Sequence, residues 1–496
     1  MSRVGLAAAA AAGVGLAAYL YYRGKADGTD DGTRVAALRE LFARRYGSAP
    51  QYVALAGGRV NLIGEHVDYP DVQFAKEPKV HLFSMGGAIQ NSYLVAASAR
   101  DDGKVVMSHA QVSGGTYTVA LSELEAIEAQ AEADRKGSVP MEQRSTPVWA
   151  MHTLGAVMEM LRANVPCRGL TLLLTSNVPH GAGMSNSAAN CVALGLAFNA
   201  LYPALGLDSD IKLVTFARSS ENSKFAGGHC GWLDQLLIVC SKASMLTKID
   251  YADNSVEHFE SRLPPHIQFV AFNTNVPHVL AESDYSHRVR ELTLGVEFLS
   301  AQLGRNAGGP NLTLGTLNAL LAAVDAATPG NAPIDLGALC GGALARFDIV
   351  KGEMAEPLGA KEVQRIKEAV EASFSPPADL PMHKGKGALA SFGVVLRRMR
   401  HQKMSSLLVP LAGEAVANGD ASLFGMLLDL EGQSLRMSGD FMITGDNGAQ
   451  DALLDCALAG GKALELMVHG RMLGGGGGGN VLLMVDASDA SRRQKW

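Results

Sequence analysis

The chain has 496 residues, a formal net charge of −6 and a charged fraction of 19%. An acidic chain without a long basic run excludes a general nucleic-acid binder. The length and a hydrophobic fraction of 47% allow two or three domains with full cores. The six cysteines are scattered, without close pairs at zinc-ligand spacing, so we interpret them as buried thiols of a reducing compartment.

The N-terminal run at residues 4–22 (VGLAAAAAAGVGLAAYLYY) carries no charge and lies between Arg3 and the basic residues Arg23 and Lys25. As a helix it would be about 28 Å long, enough to cross a bilayer. Three interpretations are open: a signal anchor, a cleaved targeting sequence, and a disordered Ala-rich tail. We favour an anchor on a cytoplasmic protein whose body faces the cytosol, because tyrosines at the basic end suit a membrane interface.

The first half of the chain predicts a linker followed by alternating helices and strands. Residues 23–33 are charged and Gly-rich, as linkers are, and Val35–Tyr46 carries apolar residues at helical spacing. Tyr52–Leu55 alternates like a strand, which we expect to end at a Gly-Gly turn. Residues 122–146 predict a surface helix with an exposed loop. Leu170–Leu174 predicts a buried strand that leads through glycines into a helix of small residues.

The second half predicts a domain boundary at the proline pair 264–265, then strands at Ile267–Phe272 and Val481–Val485. Residues 304–335 are rich in Gly, Pro and Asn, and we expect them to be peripheral. Mixed strands and helices indicate an α+β or α/β protein. The predicted divisions are an apolar segment with its linker, an N-terminal domain and a C-terminal domain, at residues 1–33, 34–263 and 264–496.

The segment at residues 178–189 (VPHGAGMSNSAA) follows a predicted strand and opens a helix. Its glycines let the backbone approach phosphates, and the first N–H groups of a helix point at them. Ser185 is then a candidate donor to a phosphate oxygen, and Ser187 a candidate Mg²⁺ ligand. A serine N-cap after a glycine turn is the structural alternative. The segment is not a Walker A loop, since no lysine follows the second glycine at the required spacing.

A second polar cluster occupies residues 58–69 (GRVNLIGEHVDY). Glu65, His66 and Asp68 can accept from and donate to several hydroxyl groups at once, which is how a sugar is oriented. Arg59 can neutralise the charge of a phosphoryl group during its transfer. A solvated charged loop would have the same composition and stays open as an alternative.

These two segments and three further ones resemble motifs of a known family. Residues 58–69 are similar to the galactokinase signature, and residues 178–189 resemble the ATP-binding motif of the GHMP kinases. Residues 230–235 (CGWLDQ), 283–290 (SDYSHRVR) and 471–480 (RMLGGGGGGN) resemble three further segments of the family, in the same order along the chain.

The resemblance implies an α+β protein with the two-domain GHMP kinase fold. Its N-terminal domain would be ribosomal-protein-like, its C-terminal domain ferredoxin-like, and the two would meet at a cleft. It also implies an enzyme that uses ATP and Mg²⁺ to phosphorylate the anomeric hydroxyl of galactose, giving galactose 1-phosphate. We expect this enzyme to be a monomer.

The resemblance assigns roles residue by residue. Asp234 would take the proton of the anomeric hydroxyl, and Arg59 would keep that carboxylate ionised and stabilise the phosphoryl group in transfer. The residues implied to bind the sugar are Glu65, His66, Asp68, Tyr285 and Gly475. The residues implied to line the triphosphate are Gly181, Gly183, Ser185, Asn186 and Ser187, with Ser187 and Glu221 as metal ligands.

Three departures from the family pattern bear on these roles. An insertion at residues 70–84 lies beside the expected sugar site, so the sugar itself is open. The family places a metal-site glutamate twelve residues before the catalytic aspartate, where this chain has Asn222, with Glu221 one position earlier. Asn186 stands where the family has a serine, and Gly477 where the residue is often aromatic.

Three functional hypotheses follow. The first is a galactokinase. The second is a related sugar-1-kinase that acts on N-acetylgalactosamine or arabinose, with a pocket reshaped by the insertion. The third is a paralogue that binds sugar and ATP and acts as a regulator; retention of both Arg59 and Asp234 argues against it.

Overall fold

The computed structural model describes residues 18–22, 30–68, 81–113, 115–274, 285–304, 312–324, 358–380, 383–437, 448–474 and 479–496. Strands and helices are mixed, as predicted. The elements up to Asp250 are β1 (Ala18–Tyr22), α1 (Asp30–Tyr46), β2 (Tyr52–Ile63), β3 (Phe83–Ala99), β4 (Lys104–His109), β5 (Tyr117–Ala120), α2 (Leu124–Lys136), α3 (Met151–Arg162), β6 (Leu170–Ser176), α4 (Asn186–Leu201), α5 (Asp210–Glu221), α6 (Leu233–Cys240) and β7 (Met245–Asp250). The elements after it are β8 (Ser255–Glu260), β9 (Ile267–Asn273), α7 (Tyr285–Leu303), α8 (Leu314–Val324), α9 (Ala360–Ser373), α10 (Ala388–Asn418), α11 (Ala421–Met437), α12 (Gly448–Ala463), β10 (Val468–Met472), β11 (Asn480–Asp486) and α13 (Ala490–Lys495).

The larger sheet has the strand order β1-β2-β3-β6-β4-β5, and β7 pairs with β3 and β8. Strands β3 and β6 are antiparallel, whereas β4 and β6 run parallel. Strand β6 (LTLLLTS) is buried at six of its seven residues, so both of its faces are covered. Helix α1 buries Val35, Leu38 and Phe42, spaced three and four residues apart, in a core shared with β2, β3 and β6.

Helix α4 lies in the middle of its helical layer and sets the position of the segment at its N-terminus. Every residue from Ala188 to Phe198 is buried, and helices α3, α5 and α6 pack against it. Small residues permit this close packing: a Cβ at Gly195 would lie 2.8 Å from a methyl carbon of Leu213. The predicted helix of small residues is thus confirmed as the central helix of the layer.

The chain separates into two compact units. The first consists of Met1–Val60, Gly87–His180 and Met184–Thr247. The second consists of Asn61–Gly86, Gly181–Gly183 and Lys248–Trp496. In the second unit β9, β11 and β10 form an antiparallel three-stranded sheet, and α11 and α12 contact β10. Helices α7 to α10 share a separate apolar core. The predicted boundaries at residues 33 and 263 stay predictions.

Two local expectations were wrong. The strand that begins at Tyr52 does not end at Gly57 and Gly58 but continues to Ile63. The reason is packing: a Cβ at Gly58 would lie 2.7 Å from the backbone oxygen of Met184, so the glycine serves a close approach inside the strand rather than a turn.

The second concerns the N-terminal run. Its last residues, Ala18–Tyr22, form strand β1, which pairs antiparallel with β2, and so are not the end of a membrane-spanning helix. Residues 4–17 lie outside the described residues. Within the described part of the chain, no helix combines the length and the apolar character needed to cross a membrane.

Candidate active site

Arg59 on β2 and Asp234 in the first turn of α6 form an ion pair across 175 residues of sequence. Two guanidinium nitrogens donate to the same carboxylate oxygen: Nε lies 2.8 Å and Nη2 2.5 Å from Oδ1. The Arg59 side chain is only 6% exposed and that of Asp234 20% exposed, so solvent screens the pair little. The structure thus brings together the two residues predicted to be catalytic.

Ser185 contacts the other oxygen of the same carboxylate. Its hydroxyl donates to Oδ2 of Asp234 at 2.5 Å, a short charge-assisted hydrogen bond. Ser185 precedes α4 in the left-handed backbone region, with φ 58°, which directs its side chain away from the usual N-cap bond to the helix. The backbone N–H of Arg59 donates to the Met184 oxygen at 3.2 Å, which joins β2 to this loop. Sequence reasoning had assigned Ser185 to phosphate and missed its contact with Asp234.

Glu221 and Asn222, the two candidates for the metal, have different surroundings. Glu221 is buried, accepts from Gln235 Nε2 at 2.6 Å and hydrogen-bonds the side chain of Ser187. Burial and the nearby Asp234 raise the pKa of Glu221 to about 7. Asn222 instead holds the loop before α6, since its amide accepts from the Cys230 backbone N–H at 2.9 Å and donates to the Cys230 oxygen at 3.0 Å.

Ser187 and Glu221 together offer the hydroxyl and carboxylate oxygens that Mg²⁺ prefers, so the donor set fits that ion. Among the described residues, no group of three or more His, Cys, Asp or Glu side chains forms a self-sufficient metal site. A Mg²⁺ ion here would need additional ligands from elsewhere, as expected of an ion that arrives on a nucleotide.

The side-chain amide of Asn186 is used within the protein. Its Nδ2 donates to Ser176 Oγ at 2.9 Å and to the Val178 oxygen at 2.8 Å, which fastens the end of β6 to the start of α4. These two bonds account for both amide hydrogens. The side chain of Asn186 therefore has no amide hydrogen left for the phosphate contact expected of it.

The glycine segment predicted to line the triphosphate and the glycine-rich segment near residue 474 lie in backbone contact. Gly181 and Gly183 have φ angles of 64° and 71°, where glycine is favoured. A Cβ at Gly183 would lie 2.7 Å from the Leu473 oxygen, and one at Gly474 would lie 2.9 Å from the Gly183 Cα. No larger residue fits at either position without a shift of backbone. Gly475 and Gly477 lie outside the described residues.

The predicted sugar-binding residues Glu65, His66 and Asp68 are all buried, at 4%, 3% and 7% exposure. The exposed charged loop that was the structural alternative is thereby excluded. His66 has a φ of 58°, and Gly64 before it a φ of 92°, so the chain turns sharply here. Tyr285 begins α7, and its side chain lies outside the described residues.

Three residues around Glu65 were not found from the sequence. Arg471 Nη1 donates to Glu65 Oε2 at 2.9 Å, the His401 ring nitrogen Nε2 lies 2.8 Å from the Glu65 backbone oxygen, and Glu431 Oε1 accepts from the Glu65 N–H at 2.9 Å. Burial raises the pKa of Glu431 and lowers that of His401 to about 4. Arg471 opens a glycine-rich motif, which was a usable signal; Glu431 and His401 lie in helices without a motif.

Comparisons with known proteins match the segments that carry these residues. The model described as "GHMP kinases N terminal domain" matches residues 151–242, and the "Galactokinase galactose-binding signature" matches residues 40–73. The first range contains Asp234 and Glu221, and the second contains Arg59 and Glu65.

Curated galactokinases from Roseiflexus sp. and Chloroflexus aggregans are 32% and 33% identical to this chain over 262 and 264 residues. The aligned part is 53% of this chain and 58% and 59% of theirs, so it spans less than two thirds of the length of these relatives. The fold resembles that of Lactococcus lactis galactokinase, solved in complex with galactose, with a TM-score of 0.61 over 93% of each chain at 21% identity. The predicted two-domain α+β fold is confirmed, and the chain is similar to GHMP kinases and to galactokinases in the matched segments.

Proposed function

We propose that this protein is a galactokinase, which transfers the γ-phosphoryl group of ATP to the anomeric hydroxyl of galactose. The observation that carries the proposal is the Asp234 carboxylate, held by Arg59 and Ser185 in the segments that match the family. Phosphoryl transfer asks a protein mainly for positioning and charge neutralisation. A buried ion pair with a defined orientation is suited to both.

The geometry of Asp234 suggests where the sugar hydroxyl binds. A carboxylate has about four acceptor sites; Arg59 uses two on Oδ1 and Ser185 one on Oδ2. The remaining site on Oδ2 would accept the anomeric hydroxyl. The proton of this hydroxyl passes to Asp234 and the hydroxyl oxygen bonds to the γ-phosphorus. The bond from that phosphorus to the ADP oxygen breaks.

The other residues would orient the reactants. Glu65, His66 and Asp68 would bind hydroxyl groups of the sugar, and Gly181 and Gly183 would admit the triphosphate close to the backbone. Ser187 and Glu221 would hold a Mg²⁺ ion bound to the ATP phosphates. That ion, when bound, neutralises charge on the phosphoryl group.

The test measures ADP release with galactose, glucose, N-acetylgalactosamine and arabinose, and identifies each phosphorylated product. We expect galactose to exceed glucose by about a hundredfold in kcat/KM, since one mispaired buried polar group costs about 2.7 kcal/mol. Equal efficiency on these two sugars would refute the galactose assignment. A preference for N-acetylgalactosamine or arabinose would support the related sugar-1-kinase and direct attention to the insertion.

Asp234→Asn tests the catalytic role. We expect it to lose more than nine tenths of turnover, while galactose and ATP still bind in calorimetric titrations. Asp134→Asn is the matched control, because Asp134 also accepts three hydrogen bonds, from Gln130 and from the N–H and hydroxyl of Ser145. A wild-type protein that binds both ligands but releases no ADP would favour the regulatory paralogue.

A further inference from the structure

Glu65 is fixed at its backbone N–H by a carboxylate from another part of the chain. Glu431 on α11 accepts through one oxygen, Oε1, from the N–H groups of Gly64 at 2.6 Å and Glu65 at 2.9 Å. Ser405 on α10 donates to the same oxygen at 3.2 Å. Glu431 is fully buried, so these bonds replace the hydration that its carboxylate has lost.

The backbone oxygen of Glu65 is fixed by a histidine. His401 Nε2 lies 2.8 Å from this oxygen, and His401 Nδ1 lies 3.0 Å from Ser434 Oγ. Because a carbonyl oxygen only accepts, Nε2 carries the hydrogen, and in the neutral ring Nδ1 accepts from the Ser434 hydroxyl. Burial favours this neutral form, since it lowers the pKa of His401 to about 4.

The side chain of Glu65 is fixed by a fully buried arginine. Arg471 on β10 places Nη1 2.9 Å from Glu65 Oε2 and Nε 3.1 Å from Glu431 Oε2. It also donates to the backbone oxygens of Asn61 and Leu62, at 2.6 and 3.0 Å. One guanidinium therefore links both carboxylates to the end of strand β2.

We propose that Glu431, His401 and Arg471 are positioning residues for the sugar site, which hold the segment Glu65–Asp68 in the orientation that binds galactose. The proposal rests on the proposed function. Its physical basis is that all three attachment points of Glu65, N–H, C=O and carboxylate, are held by side chains from three separate elements. The segment they hold includes His66 at a φ of 58°, and a non-glycine residue keeps this left-handed backbone only where surrounding contacts impose it.

A structural role alone would have a different signature. Buried ion pairs contribute little net stability relative to apolar replacements, and loss of stability lowers the active fraction, hence kcat, without changing the sugar KM of the molecules that stay folded. A positioning role predicts the reverse: a higher sugar KM and a higher galactose Kd, with the KM for ATP unchanged.

The experiment compares His401→Leu, which removes the hydrogen bond to the Glu65 oxygen, with His401→Gln, whose amide can donate in its place. Glu431→Ala and Glu431→Gln form the corresponding pair, since the glutamine oxygen can still accept from the two N–H groups. Asp429→Asn is the matched control. Asp429 lies on the same helix as Glu431. It binds the His469 ring at 2.7 Å and the Gly470 N–H at 2.8 Å, both on β10, and its carboxylate does not bond to the described residues 64–68.

We expect His401→Leu and Glu431→Ala to raise the KM and the Kd for galactose at least tenfold, with the KM for ATP within twofold of wild type. The glutamine variants should recover most of that loss, and Asp429→Asn should leave both galactose constants unchanged. If Glu431→Ala does not fold, the two His401 variants decide the matter. An unchanged KM and Kd for galactose in His401→Leu, or an equal rise of both in Asp429→Asn, would overturn the positioning role. The proposed function would still stand in that case if the wild type phosphorylates galactose. A wild type without sugar kinase activity would overturn both proposals.

Discussion

The hydroxyl of Ser185 offers the sharpest test of the active-site geometry. Its hydrogen bond to Asp234 Oδ2 is short, at 2.5 Å, and its acceptor is charged. Ser185→Ala removes this donor to Oδ2 and keeps the hydrogen bonds from Arg59 to Oδ1 of Asp234. The carboxylate is then held by Arg59 through Oδ1, so Oδ2 is less well fixed and its open acceptor site is less well aimed at a sugar hydroxyl.

The expected magnitude follows from the charge on the acceptor. Hydrogen bonds to charged groups contribute about 1.5–3 kcal/mol, which corresponds to roughly a 10- to 150-fold change in rate. We therefore expect kcat of Ser185→Ala to fall by that factor. The KM for ATP should change much less, because the lost bond reaches the proposed base, Asp234, and not the nucleotide.

Ser185→Gly provides a second variant that separates chemistry from backbone strain. At a φ of 58° glycine is unstrained, whereas alanine at positive φ is destabilising. Both variants lack the hydroxyl, so both should show the same loss of kcat, while Ser185→Gly should be at least as stable as Ser185→Ala in thermal unfolding. A Ser185→Gly protein with wild-type kcat would refute the role of the hydroxyl and show that the loss in alanine came from the backbone.

Three further predictions follow from other parts of the structure. Glu221→Ala should raise the Mg²⁺ concentration needed for half-maximal turnover, whereas Asn222→Ala, which loses only the Cys230 loop contacts, should leave it unchanged; an Mg²⁺ titration with equal midpoints would contradict this assignment. The pKa of His401 is lowered from 6.5 to about 4 in the fold, so the unfolded chain takes up the proton first as pH falls. The free energy of unfolding of the wild type should therefore fall by about 2 kcal/mol between pH 7.5 and 5 because of this group, and that of His401→Gln should lack this fall. The same pH dependence of the unfolding free energy in both proteins, measured by urea unfolding, would contradict this prediction. Gly64→Ala should destabilise the protein by about 3 kcal/mol or more, because its φ is 92° and its Cβ would lie 2.3 Å from the Phe83 oxygen; a wild-type melting temperature would show that the backbone yields.

Much of the local structure could be read from the sequence. The helix containing Val35, the strand at Leu170–Leu174 and the central helix after residue 185 were all indicated by periodicity and by glycine and proline positions. These signals act over a few residues, so a short window of sequence contains them. The segments expected to bind phosphate and sugar were found for the same reason, since each of these motifs is contiguous.

The tertiary structure decided what those segments contact. The sequence shows Gly57 and Gly58 as a turn, and only the close approach of Met184 explains why the strand runs through them. The sequence does not distinguish Glu221 from Asn222 as the candidate metal ligand, because the two are adjacent. The structure distinguishes their surroundings, since Asn222 binds the backbone of Cys230.

The contacts that hold the candidate site are between residues far apart in the chain. Asp234 is one of many acidic residues until the fold brings Arg59 and Ser185 to its two oxygens. Glu431 and His401 lie in helices whose sequence has no feature that connects them with Glu65, more than 300 positions away. The sequence by itself determined the local elements and the motifs, because propensity and spacing are local properties. The partners of each buried polar group were decided by the packing of distant elements, because a buried charge or backbone group must find its hydrogen bonds wherever the fold supplies them.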